Sequence, residues 1–338
     1  MDHPENTPTP ELIFDTINAY QRAEALKGAI ELDLFSAIGK AGGTAPALAE
    51  RIHASERGVR ILCDYLVTKG FLTKKDRTYF LTPATALFLD RKSPAYMGGV
   101  TRFLAAPELT GAFRDTAAAV RKGGTVMAQE GTLAAEHPLW VEFARGMAPL
   151  VEPTARFVAE LVGASQEPLR VLDIAAGHGL YGIQVAHKNP KAEIVAVDWP
   201  AVLEVAEQNA RKAGVGERYR PMPGSAFDVD FGSGYDVVLL TNFFHHFDIP
   251  TCVGLMRKVA AALKNNGRAF TVEFVPDEDR VSPPESAGFG FVMLCSTPAG
   301  DAYTFSEYRK MLEEAGFKKN ALQATPIGTP QHVIVSEK

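Results

Sequence analysis

The stretch VLDIAAGHGLYG, Val171 to Gly182, narrows the possible folds more than any other. An apolar run that reads as a β-strand is followed by Gly177, Gly179 and Gly182 in the spacing G-x-G-x-x-G, and then by apolar residues at helical spacing. Strand, tight turn and helix N-terminus in that order make a site for a nucleoside ligand, because the turn lets backbone approach the ligand closely. The glycines alone do not distinguish a dinucleotide from another nucleoside cofactor.

The surroundings of this loop predict the architecture. After Pro168 short apolar runs alternate with helical patterns: RVLDIAA, EIVAVDW, YDVVLLTNFF and RAFTVEFV. Such alternation predicts an α/β fold with a doubly wound, Rossmann-like parallel sheet. KNALQATPIG and TPQHVIVSEK read as two strands joined by a turn, which gives the sheet an antiparallel finish. Nearer the N-terminus, ELIFDTINAYQRAEALKGAIELDLFSAIG reads as two helices. It is followed by TAPALAERIHA and SERGVRILCDYLVTKG, with Thr44 and Ser55 as N-caps and Gly70 as a stop. FLTKKDRTYFLTP then reads as two strands about a turn at Lys75-Asp76-Arg77. Helix, helix, hairpin is a winged-helix order. The expected division is a winged-helix domain over 1–100, a helical connector over 101–165 and the α/β domain over 166–338.

Composition excludes several classes. A net charge of −5 offers no electrostatic footprint for nucleic acid. No apolar run approaches the roughly 20 residues of a membrane span, and the start, MDHPENTPTPEL, is acidic and proline-rich where a secretory signal is basic and then apolar. A cytoplasmic protein with neither membrane nor nucleic acid as partner is expected. Cys63, Cys252 and Cys295 are scattered in apolar surroundings, so they read as buried thiols and no metal site is predicted.

The residues beside the glycines bear on the ligand. Asp173 sits in the strand end, four positions before Gly177. A carboxylate there repels a pyrophosphate and suits a cofactor with an ammonium group, such as S-adenosyl-L-methionine, which argues against a nicotinamide dehydrogenase. Asp198 ends the next strand, where a carboxylate accepts both hydroxyls of a ribose.

With these motifs the chain resembles the class I methyltransferases, and more narrowly the small-molecule O-methyltransferases that carry an N-terminal winged-helix dimerisation domain. VLDIAAGHG matches that family's D-x-G-x-G-x-G loop with Ala175 in place of the first glycine. VDWP matches the acidic end of strand two, and PGSAFDVDF takes the place of a G-D-M-F segment, with Ser225 for the usual aspartate. NFFHHFDIPTC resembles the stretch bearing a catalytic histidine and VEFVP the strand bearing a supporting glutamate. The resemblance implies that S-adenosyl-L-methionine is held by Asp173, Gly177, Gly179, Asp198, Trp199, Ser225, Ala226 and Phe227. It also implies that His245 and Glu273 are catalytic. A second acid of the plant members falls on Ala302, with Asp301 beside it.

Methyl transfer from a sulfonium is an in-line displacement by an already activated donor, so the protein's task is to position and deprotonate the acceptor. An imidazole with an ordinary pKa near 6.5 is suited to take the proton of a phenol with a pKa near 10. His245 falls at the end of the fourth strand, on the edge where open α/β sheets bind ligands, and Glu273 falls on its neighbour. A histidine in an apolar stretch is more often a satisfied core residue, and Glu273 could instead pair with a nearby lysine. Asp173 and Asp198 could cap helices, and His178 could serve only to shape the turn. Trp140, Phe143, Met147, His246, Phe289 and Met293 are candidates to line a pocket for a small apolar or aromatic hydroxyl acceptor, although such residues at helical spacing are often plain core. INAYQRAEALKGAIELDLFSAI has more apolar positions than one helical stripe buries, which predicts a homodimer. The competing reading is a winged-helix DNA-binding regulator with a ligand-sensing α/β domain. Against it, SERGVRILCDYLVTKGF is dominated by Ile61, Leu62, Leu66 and Val67 and offers only Arg57, Arg60 and Lys69 to phosphates.

Overall fold

A computed structural model describes residues 8–128, 130–326 and 328–338, so the acidic start Met1–Thr7 lies outside it. Contacts divide the chain into two compact units, one ending at Thr101 and the other running from Arg102 to Lys338. The segment expected to be a connector belongs to the second unit.

The first unit is mainly helical. The stretch read as two helices forms three, Glu11–Ile17, Ala19–Glu31 and Leu34–Ile38. The extra breaks fall at Asn18 and at Asp33, which takes the left-handed conformation (φ +54°) that interrupts a helix and that aspartate tolerates better than most residues. Strand β1 (Gly43–Thr44) precedes helices Ala45–Arg51 and Glu56–Thr68. The Ser55 hydroxyl caps the latter by accepting from the Gly58 N–H at 3.1 Å, whereas Thr44 occupies the cap position without a side-chain bond. Gly70, just beyond this helix, has φ +78°, as a helix stop requires. Strands β2 (Leu72–Lys75) and β3 (Thr78–Leu81) form the hairpin, and Lys75 pairs with Thr78, so the turn is only Asp76-Arg77. The sheet order is β1-β3-β2. Leu34, Phe35, Leu48, Val59, Cys63 and Leu66 form its buried core.

The second unit is built on seven strands: β4 (Leu169–Ile174), β5 (Ala192–Asp198), β6 (Tyr219–Pro223), β7 (Tyr235–Thr241), β8 (Leu263–Glu273), β9 (Lys319–Ala324) and β10 (His332–Glu337). Their order is β6-β5-β4-β7-β8-β10-β9, parallel up to β8, with β10 antiparallel to both of its neighbours. Alternation within the strands covers both faces. Val171, Ile194, Val237, Leu239, Phe270 and Val272 pack with helices Ala148–Val162, Leu180–Lys188 and Pro200–Lys212. Leu172, Ile174, Val238, Leu240, Ala269 and Ile334 pack with helices Ile249–Ala262 and Phe305–Glu314. Each such side chain, buried completely, contributes roughly 1.5–3 kcal/mol relative to exposure. Parallel strands with both faces covered put their C-terminal ends, and the turns that leave them, along one edge of the sheet. All three cysteines are free and buried.

β6 went unread in the sequence because Arg220, Pro221 and Pro223 look like loop. Proline is tolerated there because β6 is an edge strand whose outer N–H groups need no partner.

Candidate active site

The glycine loop leaves β4 as a set of close approaches. Gly179 precedes the helix Leu180–Lys188 with φ +75°, and a Cβ there would lie 2.7 Å from the Tyr219 hydroxyl. At Gly182 a Cβ would meet Ile194 at 2.7 Å and the Asp173 carboxylate at 2.9 Å. Ala175, in the place of the family's first glycine, holds φ +53°, so a residue with a Cβ occupies a conformation that favours glycine. The Asp173 carboxylate accepts from the Gly182 N–H at 3.1 Å through Oδ2, while Oδ1 is buried with no partner among the described residues. Burial, reinforced by the charge of Asp198, pushes its pKa up to about 8. The His178 ring sits between Phe143 and Tyr181 and its Nδ1 accepts from the Leu180 N–H; burial lowers its pKa to about 4, which leaves it neutral.

A cavity of about 920 Å³ opens at this edge of the sheet. Gly177, Asp198, Trp199, Ser225, Ala226 and Phe227 are among its lining residues. Asp198 Oδ2 accepts from the Gly177 N–H at 2.8 Å and Oδ1 from the Trp199 N–H at 2.7 Å, and each oxygen keeps a lone pair for a ligand. Burial raises its pKa to about 6. Ser225 Oγ accepts from the Phe227 N–H, and Lys258 Nζ donates at 3.0 Å to the carbonyls of both Ala226 and Phe227. Asp173 and Gly179 do not line the cavity. Strand alternation turns the Asp173 carboxylate toward the helix that follows the loop.

The 3₁₀ turn Phe244–His246 follows β7. Glu273, at the end of β8, is completely buried and organises this turn. Its Oε1 accepts from the N–H groups of Phe243 at 2.9 Å and Phe244 at 2.8 Å, and its Oε2 lies 2.5 Å from His245 Nδ1. No lysine among the described residues pairs with it. The His245 ring lines the cavity, and its Nε2 makes no hydrogen bond among the described residues. The second acid is absent: Ala302 is buried, and the Asp301 carboxylate turns away to Arg280 at 3.3 Å, although the Asp301 N–H donates to the His245 carbonyl. His246 also lines the cavity, with its ring 4.2 Å from that of His245. Burial, and then the neighbouring His245, hold its pKa well below the usual value, and its Nδ1 has no partner among the described residues.

Trp140, Met147, Phe289 and Met293 line the same cavity, and Phe289 meets the His245 ring edge to face at 4.8 Å. Phe143 lines the cavity too, but its ring lies 3.3 Å from where a Gly177 Cβ would be, so it presses on the cofactor loop. Sequence reasoning missed Asn242, which lines the cavity at φ +54° with a buried, unpartnered Oδ1. An asparagine directly after an apolar strand was the available signal. It also missed Lys258, for which nothing local gave a sign.

An adenosine with a charged amino acid tail fits this lining: a strand-end carboxylate with spare lone pairs, a cramped glycine turn, and an orphaned Asn242 oxygen in a space larger than one nucleoside. Such a pocket on a sheet of this order defines an S-adenosyl-L-methionine-dependent methyltransferase. The chain belongs to the O-methyltransferase family: residues 118–318 match its O-methyltransferase domain, and residues 14–91 match its dimerisation domain. A crystal structure of a candidate O-methyltransferase from Nostoc punctiforme is 51% identical, with a TM-score of 0.95 and coverage of 98% of this chain and 100% of that one. The 3-hydroxy-5-methyl-1-naphthoate 3-O-methyltransferase of Streptomyces sahachiroi is 28% identical over 309 residues, 91% of this chain and 89% of its own. Human N-acetylserotonin methyltransferase, solved with S-adenosylmethionine, shares the fold at a TM-score of 0.85 and 22% identity, with coverage of 100% and 99%. The chain is therefore an enzyme, a small-molecule O-methyltransferase. The DNA-binding alternative finds no support.

Proposed function

We propose that this enzyme methylates a hydroxyl of a small aromatic molecule and that His245 is the general base. The observation that carries the reading is the Glu273–His245 pair. With Glu273 accepting at Nδ1, the imidazole is fixed as the tautomer whose bare Nε2 faces the cavity. When bound, S-adenosyl-L-methionine supplies a methyl group on a sulfonium. His245 takes the hydroxyl proton as the oxygen attacks, and the Glu273 carboxylate stabilises the imidazolium that results. His246 is the poorer base, because its buried ring resists protonation. In this reading Asp198, Trp199, Ser225, Ala226, Phe227 and Gly177 hold the cofactor, while Asp173 and Gly179 act indirectly by setting the loop. Trp140, Met147, His246, Phe289 and Met293 enclose the acceptor, with Phe143 between the two ligands. The hydroxynaphthoate relative supports an aromatic ring in the acceptor, and only the ring is carried over.

His245→Ala is expected to leave S-adenosyl-L-methionine affinity within about twofold and to lower turnover on a weakly acidic phenol by about 10² to 10⁴-fold. Near wild-type turnover would remove the base assignment.

We also assign a homodimer to the first unit. The helices Glu11–Ile17 and Ala19–Glu31 leave Leu12, Ile13, Phe14, Ile17 and Tyr20 exposed, at 59% or more of each residue's surface, and such a contiguous apolar run on a dimerisation domain calls for a partner copy. Light scattering that gives a monomer mass at micromolar concentration would refute it.

A further inference from the structure

We infer, building on the reading just given, that the acceptor carries no anionic group, and that the cavity wall at Thr110, Thr132, Trp140 and Ser296 is constructed to refuse a carboxylated ring. No lysine or arginine is among the described residues that line the cavity, whose charged members away from the histidines are Glu130, Asp198 and Asp228. The cations on the segments between Thr101 and Met147 are outside this lining: Lys122 Nζ donates to the Thr125 carbonyl, Arg145 pairs with Glu142, and Arg102, Arg114 and Arg121 are exposed.

Neutral donors could still solvate an anion, but along one stretch of wall four of them are already engaged. The Thr110 hydroxyl donates to the Ala106 carbonyl at 3.0 Å, Thr132 to Ser296 at 3.1 Å, and Ser296 to Val292 at 2.7 Å. The Trp140 indole N–H is given to the Thr132 carbonyl at 3.0 Å. Each of these side chains lines the cavity, and each has its N–H or O–H turned into the wall. What they leave facing the interior is hydroxyl lone pairs and ring faces, which are surfaces for an uncharged aromatic ring. A carboxylate brought against these four would lose its hydration and find neither a cation nor a free hydroxyl among them, with the Glu130 charge in the lining opposing it; Ser225, Thr241 and Gln331 are neutral side chains of the lining that keep an unengaged donor.

The test uses a pair of rings that differ only in charge and at a distance from the hydroxyl: 6-hydroxy-2-naphthoate and its methyl ester. Binding is measured calorimetrically on the full chain with S-adenosylhomocysteine, and kcat/KM with S-adenosyl-L-methionine. The ester is expected to exceed the carboxylate by about 100-fold or more in both, a difference of about 2.7 kcal/mol. Glu130→Lys, a change at an exposed position, is expected to narrow that ratio at least about threefold while leaving the melting temperature unchanged. A carboxylate bound or turned over as well as the ester overturns the inference, and so does an ester that neither binds nor reacts. An unchanged ratio in a folded Glu130→Lys protein overturns the assignment of the discrimination to charge. His245→Ala separates this from the base reading, because loss of the base lowers kcat for both compounds and leaves their affinity ratio intact.

Discussion

Asp173 and Glu273 are both carboxylates, both completely buried, and both near the C-terminal ends of strands in one sheet. They stand on opposite faces. Asp173 alternates with Leu172 and Ile174 and so faces the helices of Val171, whereas Glu273 follows Val272 and faces the side of Ala269. Their surroundings differ more than their burial does. Glu273 receives three donors from one turn, and Asp173 receives a single N–H and keeps an orphan oxygen. With its pKa driven to about 8, Asp173 is mostly protonated at neutral pH. What a buried acid does here is decided by the number of donors that meet it, not by its depth.

The largest effect that could break this comparison is expected at Glu273. Glu273→Ala strands two backbone N–H groups and the His245 imidazole in a dry site, and should cost about 3–5 kcal/mol of stability in denaturant titrations. Glu273→Gln keeps an acceptor for those N–H groups and should recover most of that loss, while lowering turnover by less than His245→Ala does. A Glu273→Ala protein as stable as the wild type would mean that the three donors do not need the carboxylate.

Asp173 should behave in the opposite sense. Its folded pKa of about 8 is above the ordinary 3.8, so between those values the folded chain holds a proton that the unfolded chain has released. Stability then falls as pH rises through that window, and Asp173→Asn, which cannot ionise, escapes the fall. The variant's melting temperature should therefore gain on that of the wild type between about pH 5 and pH 8, by the equivalent of ~4 kcal/mol. An unchanging difference would show that the carboxyl stays ionised throughout, and the contrast with Glu273 would disappear. The smallest effect is expected beside it. Ala175→Gly relieves a left-handed alanine and should raise stability by about 1 kcal/mol in thermal melts, enough to separate loop strain from the Asp173 proton.

The parallel core of the sheet was readable because β4, β5, β7 and β8 are apolar runs covered on both faces, and because Gly177 to Gly182 mark a turn where the backbone must be bare. β6 was not, since an edge strand can be written with prolines. Within the site, the His245–Glu273 pairing was anticipated from register, but the reason Glu273 tolerates burial was not. Its other two donors are backbone groups of Phe243 and Phe244, which look like any N–H in a sequence. The direction of Asp173 was in principle legible, because a period of two sends it to the face of Val171 and away from the strand tip. The emptiness of the cavity in cations could not be read at all, since it depends on which of many lysines and arginines fail to point inward.

β10 lies inside the sheet, and its His332 pairs with Glu273, fifty-nine positions earlier (332 − 273). A chain made from its N-terminus onward thus completes the glycine loop, β7 and the His245 turn while the outer edge of β8 still lacks its neighbour. Until residues 332–337 have emerged, that edge is an open template for any other extended strand. Gly177 to Gly182 precede His245 and Glu273 in the chain, and both precede the strand that covers β8, so on the ribosome this enzyme acquires its glycine loop before the edge beside Glu273 is closed.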